Sequence, residues 1–359
     1  MLLGIVFLLL AILSFQKKSK YIDELIVFIL LVIVSIVLAH KASDFPIYKD
    51  FFIKIEPLNK VFSGQPNNIF SNDNNNYEIG YRLINSFFKI FTNHIEILYI
   101  ACTSYILYTV YKLFSGKSSN MFMLLMPYFI FILITVQVGI IRQMIAISIF
   151  FYSIQFIQKR EFLKFLICSI VAFCFHRTAI VLPLFYFIAN REYSNILLFS
   201  LLVVGLLIFV GILPFSPLKI VEKLNSYITI ESVHNKLVFY LWQTKNLPVP
   251  SKFNRGIFEN TGIGLLLIYL RYDLIKKEKF NEFLNISFNL AMTYIFIYIY
   301  FFDVSSFSYR LNYYLIIFKF FIIVSFIESL EKNTNKIIAN GLLVVYCLLM
   351  MLIRIGQGF

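Results

Sequence analysis

Long apolar runs constrain the fold of this chain more than any other feature of its sequence. The stretch 25–39, for example, contains a single polar residue, Ser35. A helix needs about 20 mainly apolar residues to cross a hydrocarbon core of about 30 Å. The runs are continuous, whereas a membrane β-barrel shows alternating segments of about ten residues. The sequence therefore predicts an all-α, polytopic integral membrane protein.

The composition excludes a water-soluble protein. Of the 359 residues, 60% are hydrophobic and only 14% are charged, whereas a soluble domain has about 25% charged residues. The apolar excess also excludes a disordered chain. The 4 cysteines lie within apolar runs and show no CxxC or Cys/His spacing, so we expect neither a metal or redox site nor a disulfide framework.

We expect about twelve membrane-crossing helices in a single membrane domain that covers residues 1–359. Their predicted ranges are 1–15, 22–39, 95–111, 120–138, 141–157, 163–176, 178–190, 195–213, 259–271, 284–302, 311–328 and 336–353. The first run lacks the basic start and the small-residue cleavage site of a signal peptide, so we interpret it as a helix.

Short basic linkers predict the orientation of the chain. They contain Lys17, Lys18 and Lys20, then Lys112 and Lys117, Lys159, Arg160 and Lys164, Arg191, Lys276, Lys277 and Lys279, and Lys332 and Lys336. Counting spans places all of these linkers on one side, which is the cytoplasm by the positive-inside rule. They also account for much of the net charge of +13, which therefore indicates no nucleic-acid partner.

The span count requires a break at His176-Arg177. One helix through 162–189 would place an arginine at mid-membrane, at a cost of at least about 2.5–3.5 kcal/mol. With the break, the outer side receives two long segments, 40–94 and 214–258.

The first outer segment, 40–94, carries Asp44, Tyr48, Glu78 and Tyr81. Apolar residues at 83, 84, 87, 88 and 91 follow helical spacing. The span count leaves this helix in the membrane interface or re-entering from outside. A simpler interpretation of Glu78 is a carboxylate in the first turn of a helix, with an i,i+4 partner.

Four cationic or titratable residues occur at predicted outer helix ends, namely Arg142, His176, Arg177 and Arg310. Arg142 has no acidic neighbour in sequence, and a guanidinium suits bidentate phosphate binding. Simpler interpretations are snorkelling of Arg142 to lipid headgroups, a satisfied core histidine, and pairing of Arg310 with Asp303 or a neighbouring residue. Because all four fall on the same side as Asp44 and Glu78, we predict one outward-facing cavity that binds an anionic group.

The second outer segment, 214–258, contains the only tryptophan, Trp242, with several prolines and tyrosines. Aromatic faces stack on sugar rings, so this segment is a candidate binding loop, although an ordinary connector has the same composition. No P-loop, GxGxxG, HExxH or nucleophile-elbow motif occurs, and we expect no cofactor and no metal.

These residues resemble the EpsG-like branch of the Wzy (O-antigen) polysaccharide polymerases. The matching elements are Asp44-Phe45-Pro46-Ile47-Tyr48, Glu78-Ile79-Gly80-Tyr81, Arg142-Gln143-Met144-Ile145-Ala146, Phe175-His176-Arg177-Thr178-Ala179 with Thr in place of Ser, and Arg310 before an aromatic-rich helix. The resemblance is best over 40–190 and thinner beyond.

The resemblance implies a polymerase with a GT-C-like helical fold in the bacterial cytoplasmic membrane. Such an enzyme transfers a growing glycan from undecaprenyl diphosphate to the non-reducing end of a lipid-linked repeat unit on the outer side. The implied partners are the undecaprenyl-diphosphate-linked oligosaccharide and membrane lipid, with a chain-length regulator protein as a further candidate.

The chemistry of this reaction suggests a role for each residue. Arg142 and Arg310, with Arg177 next, would stabilise the leaving diphosphate. His176 is the first candidate for the base that takes the acceptor proton, and Glu78 is the second. Sugar binding falls to the residues Asp44, Tyr48, Tyr81 and Trp242. The rival functions are a flippase or transporter of lipid-linked oligosaccharide and a membrane O-acyltransferase.

Overall fold

The computed structural model describes residues 2–62, 69–70, 77–137, 139–225, 227, 238 and 255–356. These residues form helices and no β-strand, which confirms the all-α prediction for the described part of the chain. Contacts divide the chain into two compact units, one of Met1–Tyr186 with Ile327–Phe359 and one of Phe187–Phe326. That residues 1–359 form a single membrane domain stays a prediction.

The helices have the following bounds in chain order. They are α1 (Leu2–Ser14), α2 (Tyr21–Ala39), α3 (Phe45–Lys54), α4 (Asn59–Phe62), α5 (Ile79–Phe88), α6 (Ile95–Phe114), α7 (Phe122–Tyr128), a π-helix (Phe129–Gln137), α8 (Ile141–Gln158), α9 (Phe162–Phe173), a 3-10 helix (Arg177–Val181), α10 (Leu182–Ala189), α11 (Asn195–Phe209), α12 (Pro217–Asn225), α13 (Arg255–Lys276), α14 (Glu282–Tyr300), α15 (Ser305–Asn312), α16 (Ile316–Ser329) and α17 (Asn333–Gly356). The boundaries between the two units fall inside α10 and α16.

Four of the described helices, α2, α6, α14 and α17, are long and apolar enough to cross a membrane. They coincide with the predicted spans 22–39, 95–111, 284–302 and 336–353. Shorter apolar helices, among them α1, α9 and α11, lie on other predicted spans. The chain is thus a membrane protein, while the total of about twelve spans stays a prediction.

The structure places the predicted break at His176-Arg177. Helix α9 ends at Phe173, and the 3-10 helix begins at Arg177. The predicted span 311–328 is wrong in its first turn, because the chain turns between α15 and α16. Residues such as Ser308 and Asn312 make α15 polar, so it forms a separate short helix.

Helices α2 and α6 run antiparallel, and a polar contact joins them at each end. Near the start of α2, Glu24 accepts a hydrogen bond of 3.0 Å from the hydroxyl of Tyr111, near the end of α6. At the opposite ends of these helices, Nε2 of His40 lies 3.8 Å from a carboxylate oxygen of Glu96. We call the end with Glu24 and Tyr111 the basic end, because several basic linkers adjoin it. We call the opposite end, with His40 and Glu96, the site end, because α3 and its polar residues follow directly after His40. Since α6 has 20 residues, the two ends are about 30 Å apart.

A carboxylate and two amides hold the basic end together. Oε1 of Glu328 accepts hydrogen bonds of 2.8–3.1 Å from the hydroxyls of Ser118 and Ser119 and from the backbone N–H groups of Ser119 and Asn120. The amides of Asn120 and Asn340 donate to backbone carbonyls at the end of α1. These bonds fix the linker between α6 and α7 against the last two helices.

Helix α7 changes to a π-helix two residues after Pro127. Proline has no N–H, so the bond to the carbonyl four residues earlier is missing. The widened segment leads to Ile141, where α8 begins. Such π segments occur frequently at functional sites, and this one ends four residues before α8 begins.

The second unit packs α11 and α13 against α14. A Cβ added at Gly205 would lie 2.8 Å from Cγ2 of Ile299, so this contact requires glycine. Nδ2 of Asn289 donates to the carbonyls of Ala189 and Arg191 at 3.0 and 2.6 Å, which satisfies the end of α10.

Asp303 holds the start of the second outer segment. Its Oδ2 accepts a hydrogen bond of 2.7 Å from the hydroxyl of Ser216 and one of 3.3 Å from the backbone N–H of Leu218. Both donors lie at the start of α12, so the carboxylate caps this helix.

Candidate active site

Helix α5 has its polar side inward and its apolar side outward. Asn85 and Ser86 are fully buried, whereas Leu83 and Phe87 are 36% and 46% exposed. A helix with outward apolar residues suits contact with lipid. The helix predicted for this part of the first outer segment therefore exists, with an amphipathicity that fits an interfacial position.

Gly80 brings the start of α5 against the turn that follows α9. Its backbone N–H donates to the carbonyl of Cys174 at 2.7 Å. A Cβ at position 80 would lie 2.8 Å from that oxygen and 3.1 Å from the ring of Phe175. Only glycine fits this approach, which holds the Glu78-Ile79-Gly80-Tyr81 element beside the turn that contains His176.

Arg142, in the first turn of α8, forms an ion pair with Glu78. Its Nη1 lies 2.5 Å from Oε2 of Glu78, and the two side chains are 23% and 12% exposed. The structure thus differs from the prediction of an arginine without a carboxylate partner, because the partner comes from 64 residues earlier in the chain. Glu78 is likewise not paired with Arg82, whose Nη1 donates to the carbonyl of Ile69 at 2.8 Å.

Three tyrosine rings surround the Arg142 guanidinium. Its central carbon lies 5.6, 5.3 and 5.9 Å from the ring centroids of Tyr48, Tyr77 and Tyr81. Phe51 completes the cluster, with its ring 4.0 Å from that of Tyr77. Cation–π attraction is worth about 0.5–2 kcal/mol per ring, increasing as water is excluded. The rings hold the guanidinium in one orientation.

Tyr48 also bonds directly to this arginine. Its hydroxyl oxygen accepts a hydrogen bond of 3.4 Å from Nε of Arg142. Burial raises the pKa of Tyr48, with the Arg142 charge acting in the opposite direction. Burial also raises the pKa of Tyr77. Both phenols therefore keep their protons at neutral pH and can donate them to a ligand oxygen.

Asp44 lies at the start of α3, on the same side as this cluster. It is partly exposed, and its Oδ1 accepts a hydrogen bond of 3.3 Å from the hydroxyl of Ser43. Asp44 precedes Tyr48 by one helical turn, so the two side chains share a face at the start of α3. The structure therefore places Asp44, Tyr48, Glu78, Tyr81 and Arg142 in one part of the first unit, and their roles stay predictions.

His176 caps the 3-10 helix with its own ring. Its Nδ1 lies 2.7 Å from Oγ1 of Thr178 and 3.4 Å from the backbone nitrogen of the same residue. A backbone N–H can only donate, so Nδ1 acts as the acceptor. In the neutral ring the proton is then on Nε2, which makes that atom a donor.

Glu78 and His176 lie on adjacent segments. Glu78 is two residues before Gly80, and His176 is two residues after Cys174, the residue that Gly80 contacts. Consecutive Cα atoms are about 3.8 Å apart. Both backbones therefore lie within about 8 Å of that contact. Arg177 follows His176 and is exposed at the start of the 3-10 helix.

The remaining predicted site residues lie elsewhere. Arg310 is on α15 in the second unit and is partly buried. Trp242 lies outside the described residues, so its sugar-stacking role stays a prediction. The second unit also contains a buried lysine that the sequence analysis missed. Lys319 is 1% exposed, and its amine lies 4.7 Å from the ring centroid of Tyr294.

Four residues of the first unit were missed as parts of the site. They are Phe51, Tyr77, Gly80 and Thr178. Phe51 follows Tyr48 by three residues on α3, so helical spacing could have identified it. Tyr77 and Gly80 adjoin Glu78, and only the three-dimensional contacts show that they pack against Arg142 and Cys174.

Comparison with known proteins identifies the family. The family model described as the EpsG family matches residues 25–358. No curated protein and no solved structure matches the chain. The matched range covers nearly the whole chain and includes every element of the cluster around Arg142. The chain therefore belongs to the EpsG family, a family of Wzy-like polymerases.

Proposed function

We propose that this protein is a glycosyltransferase that polymerises lipid-linked oligosaccharide repeat units on the outer face of the bacterial cytoplasmic membrane. The donor is a growing glycan on undecaprenyl diphosphate, and the acceptor is the non-reducing end of a lipid-linked repeat unit. Membership of the EpsG family supports the polymerase class. The observation that carries the site assignment is the Arg142–Glu78 pair inside a ring of tyrosines.

The outward orientation rests on the two ends of the first unit. The basic end adjoins linkers rich in lysine, which the positive-inside rule assigns to the cytoplasm. The Arg142 cluster lies at the opposite ends of the same helices. A site at that end faces the outside, where a polymer that leaves the cell is assembled.

The reaction needs a cation beside the leaving group. An acceptor hydroxyl oxygen attacks the anomeric carbon, the bond from that carbon to the phosphate oxygen breaks, and the diphosphate leaves with the electron pair. Negative charge grows on the diphosphate, and a fixed guanidinium lowers the barrier by stabilising it. Arg142 has this role, with the exposed Arg177 as a further ligand of the diphosphate, and the assignment of Arg310 to the same group stays a prediction from the sequence.

The geometry favours Glu78 as the base and His176 as a donor. Because Nδ1 of His176 is occupied by Thr178, Nε2 of the neutral ring holds a proton and cannot accept another. It can donate to a phosphate oxygen of the leaving group. The Glu78 carboxylate then takes the proton from the acceptor hydroxyl, which reverses the order of preference drawn from the sequence.

The Arg142–Glu78 pair couples donor binding to catalysis. Phosphate oxygens compete with the carboxylate for the guanidinium N–H groups. Diphosphate binding therefore weakens the hold of Arg142 on Glu78 and makes the carboxylate a better base only when the donor is in place. We assign the positioning of the acceptor sugar to Asp44 and the hydroxyls of Tyr48 and Tyr77, while the fully buried Tyr81 supports both rings by packing against them. Trp242 would provide a stacking surface, and the reaction needs no metal ion or cofactor.

The experiment combines purified protein in lipid vesicles with the native lipid-linked repeat unit, in the presence of EDTA and without nucleotide. A ladder of products with regular steps is the expected result. Transfer of the unpolymerised lipid across the bilayer without a ladder would replace this proposal with a flippase. A donor that is consumed only when an activated acyl compound is added would replace it with an acyltransferase.

A further inference from the structure

A cavity of about 350 Å³ lies between α6 and α8 near the basic end of the first unit. It is separate from the Arg142 cluster, since Arg142 starts α8 and the cavity reaches Gln158 at the end of the same helix. Its lining residues are Tyr105, Tyr108, Thr109, Lys112, Leu113, Lys117, Phe151, Tyr152, Ile154, Gln155 and Gln158. The proposed polymerase reaction uses none of them.

The rim of the cavity is cationic. Lys112 and Lys117 line it, and no aspartate or glutamate does among the residues that the structure describes. The amine of Lys112 lies 5.7 Å from the ring centroid of Tyr108, and that of Lys117 donates to the carbonyl of Leu113 at 2.8 Å. Burial lowers the pKa of Lys117, a shift that a bound anion would offset.

The walls change from polar to apolar along the helix axis. Tyr105, Tyr108 and Lys112 lie on one face of α6, and Tyr105 and Lys112 are about 10 Å apart along that axis. On α8, the buried Phe151 lies towards the membrane interior and Gln158 lies at the cavity rim. An amphiphile with an anionic head and an apolar chain matches this gradient.

The mouth of the cavity faces outward from the helices. Tyr105, Tyr108 and Tyr152 are 42%, 50% and 45% exposed. Tyr108 lies one turn from Lys112, near the end of α6, where a membrane tyrosine places its ring in the apolar region and its hydroxyl among lipid headgroups. Tyr105 and Tyr152 lie deeper along the two helices. The occupant therefore arrives from the lipid side rather than from water.

We propose that this cavity binds one anionic phospholipid of the leaflet at the basic end. Lys112 and Lys117 bind the phosphate, Gln158 and the hydroxyl of Tyr108 bind the headgroup, and the acyl chain lies along Phe151 and Tyr105. The bound lipid clamps α6 to α8. Because α8 carries Arg142 at its other end, the lipid stabilises the helix that positions the candidate active site.

Native mass spectrometry of the purified protein in an uncharged detergent tests the proposal. The protein is titrated with phosphatidylglycerol and, separately, with phosphatidylcholine. We expect one tightly bound phosphatidylglycerol in the wild type and at least roughly tenfold weaker binding in the double variant K112Q/K117Q. The charge-preserving variant K112R/K117R should bind as the wild type does.

The matched control is K18Q/K276Q, which removes two exposed lysines from other basic linkers. It should retain tight binding, and phosphatidylglycerol should raise the melting temperature of the control but not of K112Q/K117Q. If both double variants lost phosphatidylglycerol binding equally, binding would depend only on the total positive charge of the protein, and this result would overturn the proposal. So would equal binding of phosphatidylcholine, or displacement of the lipid by millimolar inorganic phosphate.

Discussion

Arg142 and Glu78 are 64 residues apart in the chain, yet a guanidinium nitrogen and a carboxylate oxygen of these residues lie 2.5 Å apart. The pair is mostly buried, and removal of one partner leaves an uncompensated charge. An alanine variant at either position could therefore lose activity because it folds poorly and not because it lacks a catalytic group. Substitutions that preserve charge or shape are better tests of the site.

R142K keeps the positive charge and removes the planar fork that binds phosphate through two N–H groups. If Arg142 stabilises the leaving diphosphate, polymer formation should fall by about two orders of magnitude. The measurement is the initial rate of ladder formation per folded molecule, with folding checked by gel filtration.

The matched control for this change is R82K. Arg82 is on α5, close in sequence to Glu78, and donates to a backbone carbonyl instead. We expect R82K to polymerise at nearly the wild-type rate. Equal losses in R142K and R82K would show that arginine matters here for packing and not for the diphosphate.

Because Nε2 of His176 holds the proton, glutamine and alanine at position 176 should affect activity differently. H176Q replaces the Nε2–H donor with an amide N–H and should retain measurable activity, whereas H176A should not. E78Q removes the base without a change of size and should cost about 10²–10⁴ in turnover. If H176Q is as inactive as H176A while E78Q remains active, His176 is the base and the two roles are exchanged.

Thr178 offers a finer test of the same ring. T178V keeps the backbone cap and the side-chain shape but removes the hydroxyl 2.7 Å from Nδ1. The loss of one hydrogen bond of about 1–1.5 kcal/mol should lower turnover about 5- to 10-fold. T178S restores the hydroxyl and should restore turnover. Equal rates for the two variants would show that Thr178 does not orient the ring.

The sequence predicted the long helices well because continuous apolar runs are a local signal. Helix α6, predicted as 95–111, extends to Phe114. The break at His176-Arg177 was also predictable, since an arginine at mid-membrane is costly. The π-helix after Pro127 was not, because proline indicates a defect in a helix without specifying its form.

The sequence indicated several residues that the structure brings together, but not which of them contact each other. Asp44, Tyr48, Glu78, Tyr81 and Arg142 each stood out as polar or aromatic residues at one predicted side. Their contacts depend on how α3, α5 and α8 pack, and such long-range packing leaves no pattern in a single sequence. The sequence therefore suggested local partners for Glu78, and tertiary contacts supplied Arg142.

Alanine at Gly80 should destabilise the protein, whereas alanine at a second glycine, Gly341, should stabilise it. G80A would place a methyl group 2.8 Å from the carbonyl of Cys174 and should lower the stability by about 1–3 kcal/mol. G341A, inside α17, has no atom within 4 Å of its added Cβ and should raise the stability by about 0.5–1 kcal/mol. Thermal unfolding in detergent measures both. A G80A protein as stable as the wild type would contradict the close approach of α5 to the turn after α9.

Substitution of Glu328 should lower the stability of the protein without lowering its catalytic turnover. Its Oε1 accepts four hydrogen bonds at the basic end, and E328Q replaces a charged acceptor with a weaker neutral one. We expect the unfolding free energy to fall by about 2–3 kcal/mol. E331Q changes an exposed glutamate three residues further along the chain and should alter stability by less than about 0.5 kcal/mol. Because the basic end lies about 30 Å from the site end, turnover per folded molecule should be unchanged in both variants. A selective loss of turnover in E328Q would show that the linker between α6 and α7 influences the active site across the length of the helices.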